Sequence, residues 1–405
     1  MFDFTPELLK TAEKAEALCS EKFAEIREVS RKNGEKVLRA FIENRVGAPH
    51  FNPTDGYGYN DVGREKADTV YASVFSTQSA VVRHNFISGT HAISTALFGV
   101  LRPGDLMLSL TGSPYDTLKG VISAEKGGSL KEFGIKYSEL PFGSDLHEYT
   151  GMIKSCKVAY IQRSRGYTLR NSLSCDNIGD MIKTVKDINK NAFVIVDNCY
   201  GEFCETAEPS DMGADLIIGS LIKNPGGAVA RTGGYIAGRG DLVDLCSQRL
   251  SAVGIGMEAG CTLGFTREIL LGLFLAPEIT ANSLMTSVFA SALFELLGYE
   301  TFPRYCDKRV DLPLAIKLGN REKLIRFCKG IQAASPVDSF AAPEPWAMPG
   351  YDNDVIMAAG AFTMGSSIEL SADAPLREPY AVWLQGGVTY PTGRIGVLNA
   401  AAMIK

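Results

Sequence analysis

The side chains best suited to covalent chemistry lie between residues 88 and 223. The first is a lysine at the end of an apolar run, Asp215-Leu216-Ile217-Ile218-Gly219-Ser220-Leu221-Ile222-Lys223, which leads into Asn224-Pro225-Gly226-Gly227. Leu216 to Ile218 reads as a short buried strand, and Pro-Gly-Gly continues neither strand nor helix. The strand end fixes the lysine, and the glycines let other groups approach its amine. Burial disfavours an ammonium, and a neutral amine is a nucleophile towards carbonyl carbon. The expectation is that Lys223 holds pyridoxal phosphate (PLP) as a Schiff base; the plainer alternative is a lysine on a surface loop.

Three more features fit that chemistry. In Ser88-Gly89-Thr90-His91, small and hydroxyl residues open a helix whose bare N–H groups suit a phosphate; a simple helix cap is the alternative. Asp197, in Val194-Ile195-Val196-Asp197-Asn198, is a carboxylate at a strand tip. It would keep a pyridine nitrogen protonated so that the ring draws electrons from a substrate Cα; otherwise it is a turn residue. Ser220, three residues before Lys223, adds a hydroxyl for the phosphate. Tyr115, in Gly112-Ser113-Pro114-Tyr115, would stack on the ring and pass protons, or simply pack on the sheet. His91 is expected to be packed or hydrogen-bonded rather than catalytic.

These residues need strand ends to hold them, and the chain supplies the pattern. From about residue 80 to residue 240, β-branched apolar runs alternate with helical periods. Strands are expected near Ala80–Val82, Leu106–Leu110, Ile135–Leu140, Val158–Gln162, Phe193–Val196, Leu216–Ile218 and Gly234–Ala237. That alternation implies right-handed crossovers and a mainly parallel sheet covered on both faces. Ligands then bind beyond the carboxyl ends of the strands.

Before this stretch, Thr5-Pro6-Glu7 starts a helix expected to end at Asn33-Gly34, with a second helix after it. Beyond Gly298 come strands near Leu314–Leu318, Val355–Phe362, Ile368–Ser371 and Val382–Gln385, a helix over Arg321–Ala333, and a Pro- and Ala-rich loop around Pro336–Pro349. The expected division is a helical arm (1–55), a large α/β domain (56–285) and a smaller C-terminal α+β domain (286–405).

The totals of the 405-residue chain agree with a large domain plus a smaller one. Lysine and arginine number 41 against 46 acids, so 41 − 46 = −5 and no basic field for nucleic acid or anionic membrane is evident. Nine scattered cysteines and four histidines give little support for a metal site; the cysteines read as reduced thiols of a cytoplasmic protein. The start of the chain does not read as a signal peptide. Ile279–Phe294 is too short and too polar to span a bilayer, so it is expected to be a buried helix. A dinucleotide glycine fingerprint and a phosphate-loop Gly-Lys-Ser/Thr are both missing.

In order, the phosphate cap, tyrosine, strand-end aspartate and lysine resemble fold-type I PLP-dependent transferase-like enzymes, and most closely the cystathionine/methionine γ-lyase group. Ser88-Gly89-Thr90 resembles that group's Ser-Gly-Met, Val196-Asp197-Asn198 its Val-Asp-Asn, and Ser220-Leu221-Ile222-Lys223 its Ser-x-x-Lys. Tyr59 resembles the tyrosine that reaches the phosphate of a neighbouring subunit, which makes Tyr57 and Arg64 candidates for the same role. Gly56-Tyr57-Gly58-Tyr59-Asn60-Asp61-Val62-Gly63-Arg64 and Lys223-Asn224-Pro225-Gly226-Gly227 look like the methionine γ-lyase-like, aluminium-resistance branch. The resemblance implies a homodimer or homotetramer whose sites are shared between subunits.

Two departures border the substrate. Where the group has Asn-Pro after the fourth strand, this chain has Arg163-Ser164-Arg165, and where it has Gly-His-x-Asp after the lysine, this chain has Asn224-Pro225-Gly226-Gly227. An amino-acid carboxylate calls for a guanidinium; Arg377 is preferred, Arg394 is a second candidate, and Arg163 and Arg165 are reserves. The expected activity is PLP-dependent carbon–sulfur lysis of a methionine-, cysteine- or cystathionine-like amino acid, with Lys223, Asp197 and Tyr115 as its machinery. Transamination, γ-replacement and a non-catalytic PLP-binding protein are the alternatives.

Overall fold

Seven strands, most of them apolar, make the larger sheet of the computed structural model, which describes residues 2–348 and 353–404. They are β1 (Ser79–Arg83), β2 (Leu106–Ser109), β3 (Lys136–Glu139), β4 (Val158–Gln162), β5 (Phe193–Asp197), β6 (Leu216–Ser220) and β7 (Gly234–Gly238). Their order across the sheet is β1-β7-β6-β5-β4-β2-β3. Strands β3, β2, β4, β5 and β6 run parallel, whereas β7 is antiparallel to both β6 and β1.

Alternate residues sort into two cores. Ala159, Ile161, Val194, Val196 and Ile217 pack on one face, and Val158, Tyr160, Ile195, Leu216 and Ile218 on the other. A strand with both faces covered needs apolar residues throughout, and this is why the inner parallel strands β4, β5 and β6 read as apolar runs, whereas the edge strand β3 (Lys-Tyr-Ser-Glu) does not.

The smaller sheet is antiparallel, formed by β8 (Glu300–Phe302), β9 (Leu314–Lys317), β10 (Val355–Ala358), β11 (Ser371–Pro375) and β12 (Ala381–Gln385) in the order β10-β11-β12-β9-β8. Helices Arg321–Ala333 and Tyr390–Ile404 pack with it in one core. The end of the Pro- and Ala-rich loop, at Pro349, lies outside the described residues.

Three sequence expectations change. The N-terminal helices break at Cys19, giving Pro6–Leu18 and Ser20–Glu43, and the second runs straight through Asn33-Gly34. Asn33 is buried, and its carboxamide donates to the carbonyls of Phe203 (3.1 Å) and Glu205 (3.0 Å), so tertiary bonds override its turn preference. Both helices lie against helix Phe265–Leu296 of the same chain. That helix has 32 residues and crosses the boundary expected at 285. It is long and apolar enough to cross a membrane by length and composition alone, yet Val288, Phe289, Leu293 and Phe294 are fully buried in the protein core.

Candidate active site

The expected site residues converge at the carboxyl ends of the parallel strands. Strand β5 ends on Asp197, β6 ends on Ser220 just ahead of Lys223, and Ser88 caps helix Gly89–Val100, its Oγ accepting from the His91 N–H at 3.0 Å. A cleft of about 630 Å³ is lined by Ser88, Gly89, Thr90, Tyr115, Asp197, Ser220 and Lys223. Its other wall, from the smaller sheet and the loop before β12, carries Asp373, Arg377, Trp383 and Gln385.

The glycines after the lysine are required by packing. A Cβ on Gly226 would collide with the Leu221 carbonyl, and one on Gly227, at φ 52°, with the Gly272 carbonyl of the long helix. Helix and lysine loop are therefore in backbone contact, which fixes the lysine's root. Its amine sits 4.2 Å from the centre of the Tyr200 ring. Burial opposes the ammonium, but Tyr200, Cys199 and Asp197 outweigh burial and raise the lysine pKa. The expected loss of charge through burial is thus corrected: in the chain by itself Lys223 keeps its proton. Tyr200 adopts φ 72°, a strained conformation for an aromatic residue.

Asp197 is buried. Its Oδ1 accepts from the Cys199 N–H at 3.1 Å and its Oδ2 from the Tyr160 hydroxyl at 3.4 Å. Burial raises its carboxyl pKa, against the pull of the Cys199 N–H and of Lys223. Such a carboxylate gains most from a cationic N–H placed against it. The Tyr115 hydroxyl lies 3.1 Å from Thr90 Oγ1, and the Tyr115 N–H donates to Gln162 Oε1 at 2.9 Å. Burial, then the Asp197 charge, push the Tyr115 phenol well up, so it carries a proton it can donate.

PLP fits these residues. Ser220 Oγ is buried with no hydrogen-bond partner among the described residues, an open position for a phosphate oxygen. A Cβ at Gly89 would sit 3.3 Å from Ser220 Cβ and 3.4 Å from Cys199 Sγ, so glycine keeps the mouth of the helix N-terminus clear.

Other candidates lie elsewhere. Arg394 is not in the cleft: its Nε pairs with Glu16 at 3.0 Å, tying the last helix to the first. Arg163 is fully buried, bonded to Glu205 (2.8 Å) and Asn198 (2.7 Å). Arg64 is buried too, its Nη1 donating to the carbonyls of Gly58 (2.6 Å) and Gly260 (2.9 Å), which makes it the clasp of the 56–60 loop. Tyr57 and Tyr59 are exposed and stacked at 5.5 Å. His91 accepts the Ile87 N–H at 3.2 Å. Arg377 lines the cleft and is exposed, whereas Arg165 lines it buried, with Nη1 unpartnered among the described residues. Sequence reasoning missed Tyr200, Cys199, Tyr160, Asp373 and Trp383. For the first two their place directly after Asp197 was an available signal.

The methionine gamma-lyase family model matches residues 8–405. The chain belongs to that family. Among its relatives, the uncharacterized protein YnbB of Bacillus subtilis is 48% identical over 401 residues, covering 97% of this chain and 95% of YnbB. The crystal structure of a carbon-sulfur lyase involved in aluminum resistance from Clostridium novyi superposes with a TM-score of 0.95 at 48% identity, covering 99% of this chain and 97% of that one. The pyridoxal-5'-phosphate dependent protein YhfS of Escherichia coli shares the fold alone, with a TM-score of 0.64 at 15% identity over 92% of this chain and 95% of that one. The family member described here is accordingly a PLP-dependent carbon–sulfur lyase of fold type I, and membership implies pyridoxal phosphate as its cofactor.

Proposed function

We propose that the enzyme eliminates a thiol from a sulfur-containing amino acid at Cβ or Cγ, with Lys223 as base and Tyr115 as acid. The observation that carries this reading is the meeting of Lys223, Asp197, Tyr115 and the Ser88–Thr90 cap in one cleft. When bound, PLP supplies an electron sink for the carbanion formed at the substrate Cα.

Each chain residue has one task. The N–H groups after Ser88 and the free Ser220 hydroxyl bind the phosphate. Asp197 holds a proton on the pyridine nitrogen, and in doing so ceases to stabilise the Lys223 ammonium. The Lys223 amine takes the Cα proton and, for departure from Cγ, a Cβ proton as well. The C–S bond breaks with its electron pair on sulfur, and the Tyr115 phenol protonates the departing thiolate. Water hydrolyses the released enamine to a keto acid and ammonia.

For the substrate carboxylate, Arg165 is better prepared than Arg377. It is buried, its Nε donates to Ser172 Oγ at 3.3 Å, and its Nη1 has no partner among the described residues. Burial lowers its pKa, against the pull of Asp311 and Asp307, and an incoming carboxylate offsets that cost. Tyr57 and Tyr59, 74% and 58% exposed on a loop clasped by Arg64, support a second subunit as the place where their hydroxyls act. Replacing Lys223 with alanine tests the mechanism: thiol release should fall by at least about 10²–10⁴-fold, and undiminished release would refute it.

A further inference from the structure

We propose that Asn224 is a positioning residue: its carboxamide locks the left-handed turn at Tyr200 against the lysine loop and so keeps the Tyr200 ring beside the Lys223 amine. The proposal rests on the reading of Lys223 as the lysine that holds the cofactor, and adds what sets the surroundings of its amine.

Asn224 follows Lys223 directly, opens the short turn Asn224–Gly226 and is fully buried. Its Nδ2 donates to the Tyr200 carbonyl at 3.1 Å and to the Glu202 carbonyl at 2.8 Å. The amide cannot turn over, because its oxygen would then face two carbonyl oxygens. Among the described residues no backbone N–H reaches either carbonyl, and the one further donor is the Cys204 thiol, 3.3 Å from the Tyr200 oxygen. Sheltered carbonyls need donors, and a thiol is a weak one.

The turn that Asn224 grips is strained. Tyr200 and Phe203 adopt φ 72° and 62°, a region that disfavours aromatic side chains. Such backbone persists only where its surroundings over-determine it. The turn's own bonds run from the Gly201 N–H to the Asn198 carbonyl (2.9 Å) and from the Cys204 N–H to the Gly201 carbonyl (3.1 Å), which leaves the Tyr200 and Glu202 carbonyls for Asn224. The Tyr200 ring, in turn, has its centre 4.2 Å from the Lys223 amine. The contacts therefore close a circuit from the Lys223 backbone to the Asn224 amide, to the Tyr200 backbone, and through the Tyr200 ring to the Lys223 amine. A shift of the Tyr200 backbone carries its ring away from the amine.

The titratable groups that face this amine are Tyr200, Cys199 and Asp197 at the end of β5, and Asp373 on β11. Asp197 and Cys199 are tied to each other by the Cys199 N–H at 3.1 Å, and Asp373 belongs to the other sheet. The Tyr200 ring is the member whose place depends on Asn224. Alanine at 224 breaks the circuit while leaving both the ring and the lysine in the chain.

Only a neutral amine adds to an aldehyde, its lone pair forming the C=N bond as the aldehyde oxygen leaves as water. The readout is therefore the pH at which the cofactor-free protein takes up PLP at half its maximal rate, followed by absorbance. Asn224→Ala should lower that midpoint by about 0.4 to one unit. In a Tyr200→Asn background, where the ring is gone, the same substitution should move it by less than about 0.3 unit. Asn224→Ser, whose hydroxyl is too short to span both carbonyls, should shift the midpoint in the same direction as alanine. A residue that holds only the fold would lower the melting temperature and leave the midpoint in place. An unchanged or raised midpoint in both variants, or an equal shift with and without the Tyr200 ring, would overturn the assignment. So would failure of both variants to fold, since Asn224 would then be holding the chain rather than the lysine. Borohydride reduction separates this from the reading beneath it. A pyridoxyl label on Lys223 with an unmoved midpoint removes only Asn224, whereas a label on another lysine removes Lys223 itself.

Discussion

The amine of Lys223 stands 4.2 Å above the Tyr200 ring, and Tyr200 reaches that position through a left-handed backbone with φ 72°. The ring and its neighbours favour the ammonium, so the chain by itself presents a protonated lysine. Replacing Tyr200 with asparagine, which tolerates this backbone, removes the ring. A cation–ring contact is worth about 0.5–2 kcal/mol, so the lysine pKa should fall by up to about one unit. The pH at which the cofactor-free protein takes up PLP at half its maximal rate should move down accordingly. An unchanged or higher midpoint would show that the ring does not hold the proton.

Asp197→Asn separates folding from chemistry. The carboxylate is buried and its pKa raised, so the isosteric amide should leave the melting temperature of the cofactor-free protein unchanged or higher. Thiol release should nonetheless fall by about 10²-fold or more, because nothing then keeps the ring nitrogen protonated. Near-normal turnover in this variant would remove Asp197 from the machinery.

How much of this could be read from the chain depended on how local the cause was. Lys223, Asp197 and the Ser88 cap sit at strand ends or a helix start, so their neighbours in sequence announced them. The parallel sheet was legible because strands with both faces buried must be apolar throughout. Asp373 and Trp383 were hidden because the two sheets must come together before these residues and Arg165, held only as a reserve, share a wall, and nothing near them in sequence marks it. Arg394 misled in the opposite sense: its partner, Glu16, lies at the other end of the chain. Helix Tyr390–Ile404 escaped notice because Pro391, Gly393 and Gly396 blunt its pattern, although Gly393 is what lets it approach Thr286 of the long helix.

Glu202 lies behind the lysine loop, fully buried, with Oε1 accepting from the Tyr235 hydroxyl at 3.0 Å and Oε2 unpartnered among the described residues. Burial lifts its carboxyl from the ordinary 4.5 to about 8. A raised carboxyl pKa means that the folded state binds the extra proton, so its contribution is full below about pH 4.5 and is lost as pH rises towards about 8. Glu202→Gln should flatten that decline and be on the order of a few kcal/mol more stable than the wild type at mildly alkaline pH. Parallel melting curves against pH would show it; identical slopes would contradict it.

Sharing of the site between subunits can be read from hybrids. Tyr59→Phe and Lys223→Ala impair different halves of the proposed site. If Tyr59 serves its neighbour, a mixed dimer holds one site with both residues intact, and refolding the two variants together should restore activity to roughly a quarter of the wild type, since mixed dimers are half the population. No gain over the separate variants would place Tyr59 outside its neighbour's site.

The most direct measurement is borohydride reduction of the PLP-loaded protein, followed by peptide mapping. The expected result is a visible absorption band that reduction abolishes, with the pyridoxyl group left on Lys223. A protein that stays colourless with PLP, or a label on any other lysine, would contradict the claim that this amine carries the cofactor.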